Sequence, residues 1–461
     1  MRRDLGDRAV VLGGSMAGLL VARVLADRFA TVVVVERDPL PDAPGPRRGV
    51  PQGKHIHGLL AGGQQAFEQL LPGLTTELAA DGVPVGDPLA DVRLRINGHD
   101  FRRAPSGLTL VSASREVLEH QVRHRIRALP NVTVTDRCDV VGLTARGGRI
   151  TAVRVLRRAD DSAEELLEAD LVVDATGRGS RASVWLADNG FSVPTEERLS
   201  IDLGYTTRRY HLPAGALDGD LGILHAPTPE HPRGAALARL ERGVWMLTLI
   251  GIGDDHPPTH VDGFDRFAAS LGSGELSSLI RAAEPIDVPT PFRFPASTRR
   301  HYERIELPDN LVVLGDSLCS LNPVYGQGMT VAALEALALA RLLSDRRLPP
   351  SRALMRGLGR IVDGPWQLAS AVDRSFLPAD RPPALRDRLA AAYIDRVQAA
   401  AEHDALAGRA FLRVSGLVDP TRALLRPRLM WRTLLRAPLA TPTASTVTAS
   451  SESTAHRSRG R

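Results

Sequence analysis

The 461-residue chain is 43% hydrophobic and 24% charged, enough apolar material for the cores of two or three domains and unlike a disordered or fibrous composition. Its net charge of +5 rests on arginine, since Lys54 is the one lysine among 58 basic residues, and the arginine pairs are scattered with no recognition module beside them, which argues against a nucleic-acid partner. Cys138 and Cys319 stand in no paired motif, no apolar run follows the N-terminal arginines, and no stretch reaches the roughly 20 apolar residues of a membrane span; together these predict a cytoplasmic protein without integral membrane contact.

In chain order, residues 9–12 read as a short buried strand, followed by a glycine turn and a helix over 16–25. Residues 31–36 (TVVVVE) are a continuous apolar run, the pattern of a parallel strand covered on both faces. A loop rich in proline and glycine fills 39–53. Residues 117–129 are amphipathic, with Leu118, Val122, Ile126 and Leu129 on one face and the arginines expected in solvent on the other. Residues 132–173 read as a β-meander with a hairpin turn at Gly147 and Gly148, closing on the buried run DLVVD at 170–174. From 186 to 294 prolines multiply and β-like runs such as VWMLTLIGI (244–252) predict a second, sheet-based domain. A buried strand returns at 310–315, ahead of a long helix from about Gly328 whose apolar stretch, 331–343, carries Glu335 and Arg341. Residues 376–440 read as helical, and the Thr/Ser/Ala-rich 441–461 as a disordered tail.

The turn GGSMAG (13–18) poses the first chemical question. A hydrolase elbow, Gly-x-Ser-x-Gly, would end here in Ala17 and place its nucleophile Ser15 with no earlier strands to supply an oxyanion hole. A dinucleotide turn fits better. Gly13 and Gly18 match the glycine fingerprint, Ser15 is a small residue at the middle position, and Glu36 ends the second strand where a ribose acceptor belongs. The amides near Met16 and Ala17, at the positive end of the helix, would then face a pyrophosphate. Close packing of helix on strand is the alternative use of Gly13, Gly14 and Gly18. GVPQGK (49–54) is a poor P-loop, with its glycines too close and His55 in place of Ser/Thr, and His55 with His57 lacks a further ligand at metal spacing.

Two later stretches add anchors. DATGRGSR (174–181) and LGDSLCSLNPVYGQGM (314–329) each follow a buried strand. Asp316 can bind a sugar-like hydroxyl, Gly326 and Gly328 let backbone lie against a flat ring, and the helix start there favours negative charge on it. The order GGSMAG, Glu36, SREVLE (114–119), DATGRGSR and GDSLCSLNPVYGQGM resembles the class A FAD-dependent monooxygenases. RRGVPQGKHIHGLL (47–60), taken with SREVLE and DATGRGSR, more narrowly resembles the flavin-dependent epoxidases of polyether antibiotic pathways, the monensin and lasalocid type. The resemblance spans roughly residues 8–375.

That resemblance implies an α/β fold: a Rossmann-like FAD-binding domain, discontinuous over 1–75, 105–185 and 295–375, a substrate-binding β-sheet domain over 76–104 and 186–294, and C-terminal helices over 376–440. It places Gly13, Gly14, Ser15, Met16, Ala17 and Gly18 at the FAD pyrophosphate, Glu36 and Arg37 at the adenosine ribose, and Val140 at the adenine. Arg115 would lie along the ribityl chain and phosphate, and Arg48 near the flavin. Asp174 and Gly177 belong to a motif shared between FAD and NAD(P)H. Asp316 would hold the ribityl chain or pyrophosphate, and Pro323, Gly326, Gln327, Gly328 and Met329 would line the isoalloxazine. Thr330 stands where the family commonly has asparagine.

The implied reaction is monooxygenation through a flavin C4a-hydroperoxide, with NAD(P)H as transient reductant and O₂ as oxidant. The implied substrate is an alkene of a large apolar natural-product intermediate. No side chain is nominated as a catalytic nucleophile or metal ligand. An aromatic hydroxylase, a flavin-dependent isoprenoid-chain reductase and a noncatalytic flavoprotein remain alternatives at the level of sequence.

Overall fold

The computed structural model describes residues 5–158, 163–378 and 384–436, so the tail predicted over 441–461 lies outside the described residues. At the centre of a five-stranded sheet, Gly6–Leu12 runs parallel between Phe29–Val35 and Leu171–Asp174. Val132–Thr135 extends one edge and Leu311–Val313 the other, both also parallel. Residues 9–12, 171–174 and 311–313 are all buried, as strands covered on both faces require. The helix Met16–Leu25 returns over this sheet with eight of its residues buried. It packs against the helices Arg115–Arg127 and Gly328–Leu342.

The meander is shorter than the sequence pattern suggested. Cys138–Arg146, Arg149–Arg157 and Glu164–Glu168 form a separate three-stranded antiparallel sheet, while the runs on either side, Val132–Thr135 and Leu171–Asp174, go to the parallel sheet. Alternation marks a strand but not its sheet, which is why the run looked continuous. The hairpin turn has φ of 60° at Gly147 and 77° at Gly148, the paired positive values that a two-residue hairpin favours.

A nine-stranded sheet forms the second layer. Its middle strands are Thr290–Arg300, Glu196–His211, Trp245–Ile252 and Arg233–Arg239, antiparallel throughout. Every residue of Trp245–Ile252 is buried, so both faces are covered. Leu247 and Leu249 point outward under the helices Val261–Ala269 and Gly274–Ala282, with Phe264, Phe267 and Leu276. The alternate positions, Ile250 and Ile252, join Leu203, Tyr205 and Phe294 on the inner face. Cys319–Ser320 pairs at the sheet's edge, so the segment that leaves the parallel sheet after Val313 enters this one within a few residues. The helices Leu385–Ala401, Ala405–Ser415 and Pro427–Arg436 close a third core around Leu94, Phe101 and Val397. Among the described residues no helix is long and apolar enough to cross a membrane.

Candidate cofactor and substrate site

The glycine turn is shaped first by packing. Gly13 has φ of +102°, and a Cβ there would lie 2.5 Å from the Ala175 carbonyl oxygen; a Cβ on Gly18 would lie 1.9 Å from the Gly13 oxygen. The first intrahelical bond runs from Leu19 N–H to Ser15 C=O at 2.9 Å. The amides of Met16, Ala17 and Gly18 therefore have no acceptor within the helix, at its positive end. Gly14 N–H donates to Glu36 Oε2 at 2.8 Å. Ser15 Oγ donates to Glu119 Oε2 at 2.9 Å and accepts from Arg115 at 2.8 Å. Its hydroxyl bonds to no histidine, so the arrangement is not a Ser–His pair.

Around this turn three guanidinium groups and three carboxylates are buried together. Arg47 reaches Glu36 at 2.7 Å and Asp38 at 3.7 Å, and pairs closely with Glu119. Arg115 bonds Glu119 one helical turn away at 3.1 Å, and Arg123 stands 3.6 Å from the same carboxylate. Burial alone would push the Glu119 pKa up, but Arg115 and Arg47 overcome it and hold the carboxyl below its ordinary value. The expectation that the arginines of residues 117–129 face solvent is corrected at Arg123, which is buried because the helix lies between the turn and the 39–53 loop and Glu119 supplies its counter-charge; Arg115, at the start of the same helix, is buried beside it. Arg47, not its neighbour Arg48, enters the cluster; Arg48 and Arg37 both lie on the surface. Glu36 already takes three donors from its own chain, Gly14, Asp38 and Arg47. The strand carrying Val140 starts beside it, with Cys138 N–H donating to Glu36 C=O at 2.9 Å.

The second and third anchors dock on each other and on the first. Asp174 is fully buried and accepts from Thr176 N–H at 2.9 Å, from the Thr176 and Ser180 hydroxyls, and from Ser317 Oγ at 3.3 Å. Its carboxylate is thus spent on shaping the DATGRGSR turn. Gly177 has φ of +82°, and its N–H donates to Ser317 Oγ at 2.8 Å. A Cβ on Gly315 would meet Ala17 Cβ at 2.8 Å, so the GDS turn sits directly on the start of the first helix. Enclosure raises the Asp316 pKa, while the charges of Arg178, Arg115 and Arg300 oppose the rise. All three widely separated segments therefore meet at the glycine turn.

Beyond Asp316 the chain forms the loop Pro323–Tyr325 and the helix Gly328–Leu342. Gly326 has φ of +65°, and a Cβ on Gly328 would meet no atom of the described residues within 4 Å. Met329 is buried, and Gln327 Nε2 donates to the Ser415 carbonyl at 3.0 Å. Thr330 turns away from this space, fully buried against Gly63. The loop is tied from behind by Asp373, which accepts from Asn322 Nδ2 at 2.8 Å and Tyr325 OH at 2.6 Å. On the far side lies the inner face of the large sheet, where Tyr205, Phe292 and Ile250 pack with Val324 and Phe376. His55 joins this wall, its ring 5.3 Å from Phe292 and its Nδ1 2.7 Å from Thr207 Oγ1. Burial, then the Lys54 charge, lowers the His55 pKa to about 4. His57 Nδ1–H donates to the His55 carbonyl at 2.8 Å, and burial with the nearby Arg115 charge lowers its pKa to about 4 as well. Both rings are neutral near neutral pH.

Sequence reasoning missed Arg47, Glu119, Ser317, Glu335 and Asp373. Only Glu119 left a usable sign, four residues after Arg115 on a helix, where oppositely charged side chains meet.

A parallel sheet ending in a glycine turn, DATG and GDS segments docked on that turn, and a large antiparallel sheet facing them make up the fold of the FAD-dependent monooxygenases, here with a helical C-terminal region. Solved structures of this fold superpose on most of the chain. A flavoprotein/dehydrogenase from Cytophaga hutchinsonii gives a TM-score of 0.64 at 14% identity, over 93% of this chain and 98% of that one. PqsL, a probable FAD-dependent monooxygenase from Pseudomonas aeruginosa, gives 0.60 at 17% identity over 88% and 98%. The flavin-dependent brominase Bmp2 gives 0.60 at 16% identity over 80% and 86%. In sequence, the chain belongs to the family of Protein Rv3254 of Mycobacterium tuberculosis, to which it is 35% identical over 430 residues, 90% of each chain. It matches no protein-family model.

Proposed function

We propose that this chain is an FAD-dependent monooxygenase that draws electrons from NAD(P)H and transfers one oxygen atom of O₂ to an alkene of a large apolar natural-product intermediate, forming an epoxide. The observation that carries the reading is the convergence of the glycine turn, Arg115 and Asp316, with open space at Gly328 in the same segment as Asp316. The residues fit a dinucleotide there. The amides of Met16 and Ala17 with Arg115 suit a pyrophosphate, and Glu36 retains acceptor capacity on Oε1 for a ribose hydroxyl. Asp316 suits the ribityl chain. Pro323, Gly326, Gln327, Gly328 and Met329 form the wall on which a planar ring would rest, and Val140 lies on the strand nearest the adenine end. Asp174 and Gly177 act through the turn they shape. Bound FAD supplies the redox and oxygen chemistry.

The chain's own residues bind, orient and exclude water. Tyr205, Phe292, Ile250 and Val324 give an apolar wall beside the ring site, which suits an alkene and keeps bulk water away. Neutral His55 and His57 add no charge that would draw water in. The domain division follows the same logic: a discontinuous cofactor domain over 1–75, 105–185 and 295–375, facing a substrate sheet over 76–104 and 186–294. An aromatic hydroxylase would use the same wall, since aromatic rings line it. Product analysis under ¹⁸O₂ with candidate polyenes and phenols tests the reading. One labelled oxygen in an epoxide supports it, a labelled phenol selects the hydroxylase, and a saturated product formed without O₂ refutes both in favour of a reductase.

A further inference from the structure

We propose that the last helix, Pro427–Arg436, docks the protein peripherally on an anionic lipid surface. One face of this helix is committed inward: Leu429 and Thr433 are buried, and Arg432 pairs with Asp404 of the neighbouring helix. The opposite face, at the spacing of one helical side, carries Pro427, Arg428, Trp431 and Leu434. Trp431 is 70% exposed and Leu434 48%, and Leu425, just ahead of the helix, is 56% exposed. The other tryptophans, Trp185, Trp245 and Trp366, are all buried. An indole and leucines held in water on one helix face are costly unless a partner covers them.

Charge identifies the partner. Between Pro420 and Arg436 the chain has five arginines and no carboxylate. Arg422, Arg426 and Arg428 are exposed, and among the described residues only Arg426 of the three approaches an acid, Asp419 at 3.7 Å. A tryptophan and leucines rimmed by arginine suit the boundary between headgroups and acyl chains, where the indole lies at headgroup depth and the cations meet anionic lipid. A second copy would set the same arginines against each other. The chain beyond the helix, 437–461, offers one glutamate against three arginines. A nucleic acid would satisfy the arginines but leave the leucines wet. The inference stands on this surface alone and is independent of the reaction proposed above.

The test uses the full-length protein and vesicles of phosphatidylcholine with or without phosphatidylglycerol. Expected are co-sedimentation with the anionic vesicles only and a blue shift of tryptophan emission. Trp431→Ser should abolish the shift and most binding, and Arg422→Gln or Arg428→Gln should each lower partitioning about fivefold. All three positions are exposed, so unchanged thermal unfolding is expected and separates lost docking from lost folding. No partitioning, equal partitioning on neutral vesicles, binding unaltered by Trp431→Ser, a dimer that buries Trp431, or displacement from vesicles by duplex DNA would each overturn the proposal.

Discussion

Glu335→Gln probes the interior behind the GDS turn. Glu335 projects from the Gly328–Leu342 helix and is fully buried. Its Oε2 accepts Gly315 N–H at 2.8 Å, while Oε1 has no partner. Burial is the main force on its pKa. The Gly315 bond pulls the value down, the Asp316 charge pushes it up, and it settles at about 8, against 4.5 for an ordinary glutamate. The folded protein thus holds a proton that the unfolded chain releases. Stability from this group is complete below the unfolded pKa and falls as pH rises through the folded one; roughly 3 kcal/mol is lost between about pH 5 and 8. Glutamine keeps a carbonyl for Gly315 and never ionises. Urea unfolding of both proteins across that range isolates the term, because the titrations of His55 and His57 cancel in the difference. The wild type should lose stability relative to Glu335→Gln as pH rises. Parallel pH profiles would show that Glu335 is ionised in the fold and refute the reasoning.

Gly18→Ala places a methyl 1.9 Å from the Gly13 oxygen and should cost about 1–3 kcal/mol or more, read as a lower Tm. Gly328→Ala meets no atom of the described residues, so Tm should hold while FAD affinity falls at least about tenfold; unchanged FAD titration would mean that no ring rests there. Arg47→Met leaves Glu36, Asp38 and Glu119 buried without their shared cation and should cost about 3–5 kcal/mol in urea unfolding. Tyr325→Phe removes one donor from buried Asp373 and should cost about 1–3 kcal/mol, with a looser Pro323–Tyr325 loop seen as faster amide exchange at Val324.

The strand, turn and helix of residues 9–25 were legible because every signal they use is local: an apolar run, a glycine pair, then helix formers. The Gly147 and Gly148 hairpin was legible for the same reason. Sheet membership was not, since Val132–Thr135, Cys138–Arg146 and Arg149–Arg157 follow one another as β-like runs, yet the first belongs to the parallel sheet and the other two to a separate antiparallel one. The helix Arg115–Arg127 showed its apolar stripe in sequence, but the stripe says nothing of what covers the other side, so Arg123 was read as solvated. Arg47 and Arg48 are adjacent in an irregular loop with no period to distinguish them. Nothing near Asp373 in sequence announces partners at Asn322 and Tyr325. The amino-acid sequence by itself determined which segments become strands, turns and helices, and which residue types stand at their ends. Tertiary structure alone decided which charges are buried and with whom. Backbone preference and apolar period act over a few residues, whereas a buried charge is tolerated only where distant elements meet and supply its counter-charge.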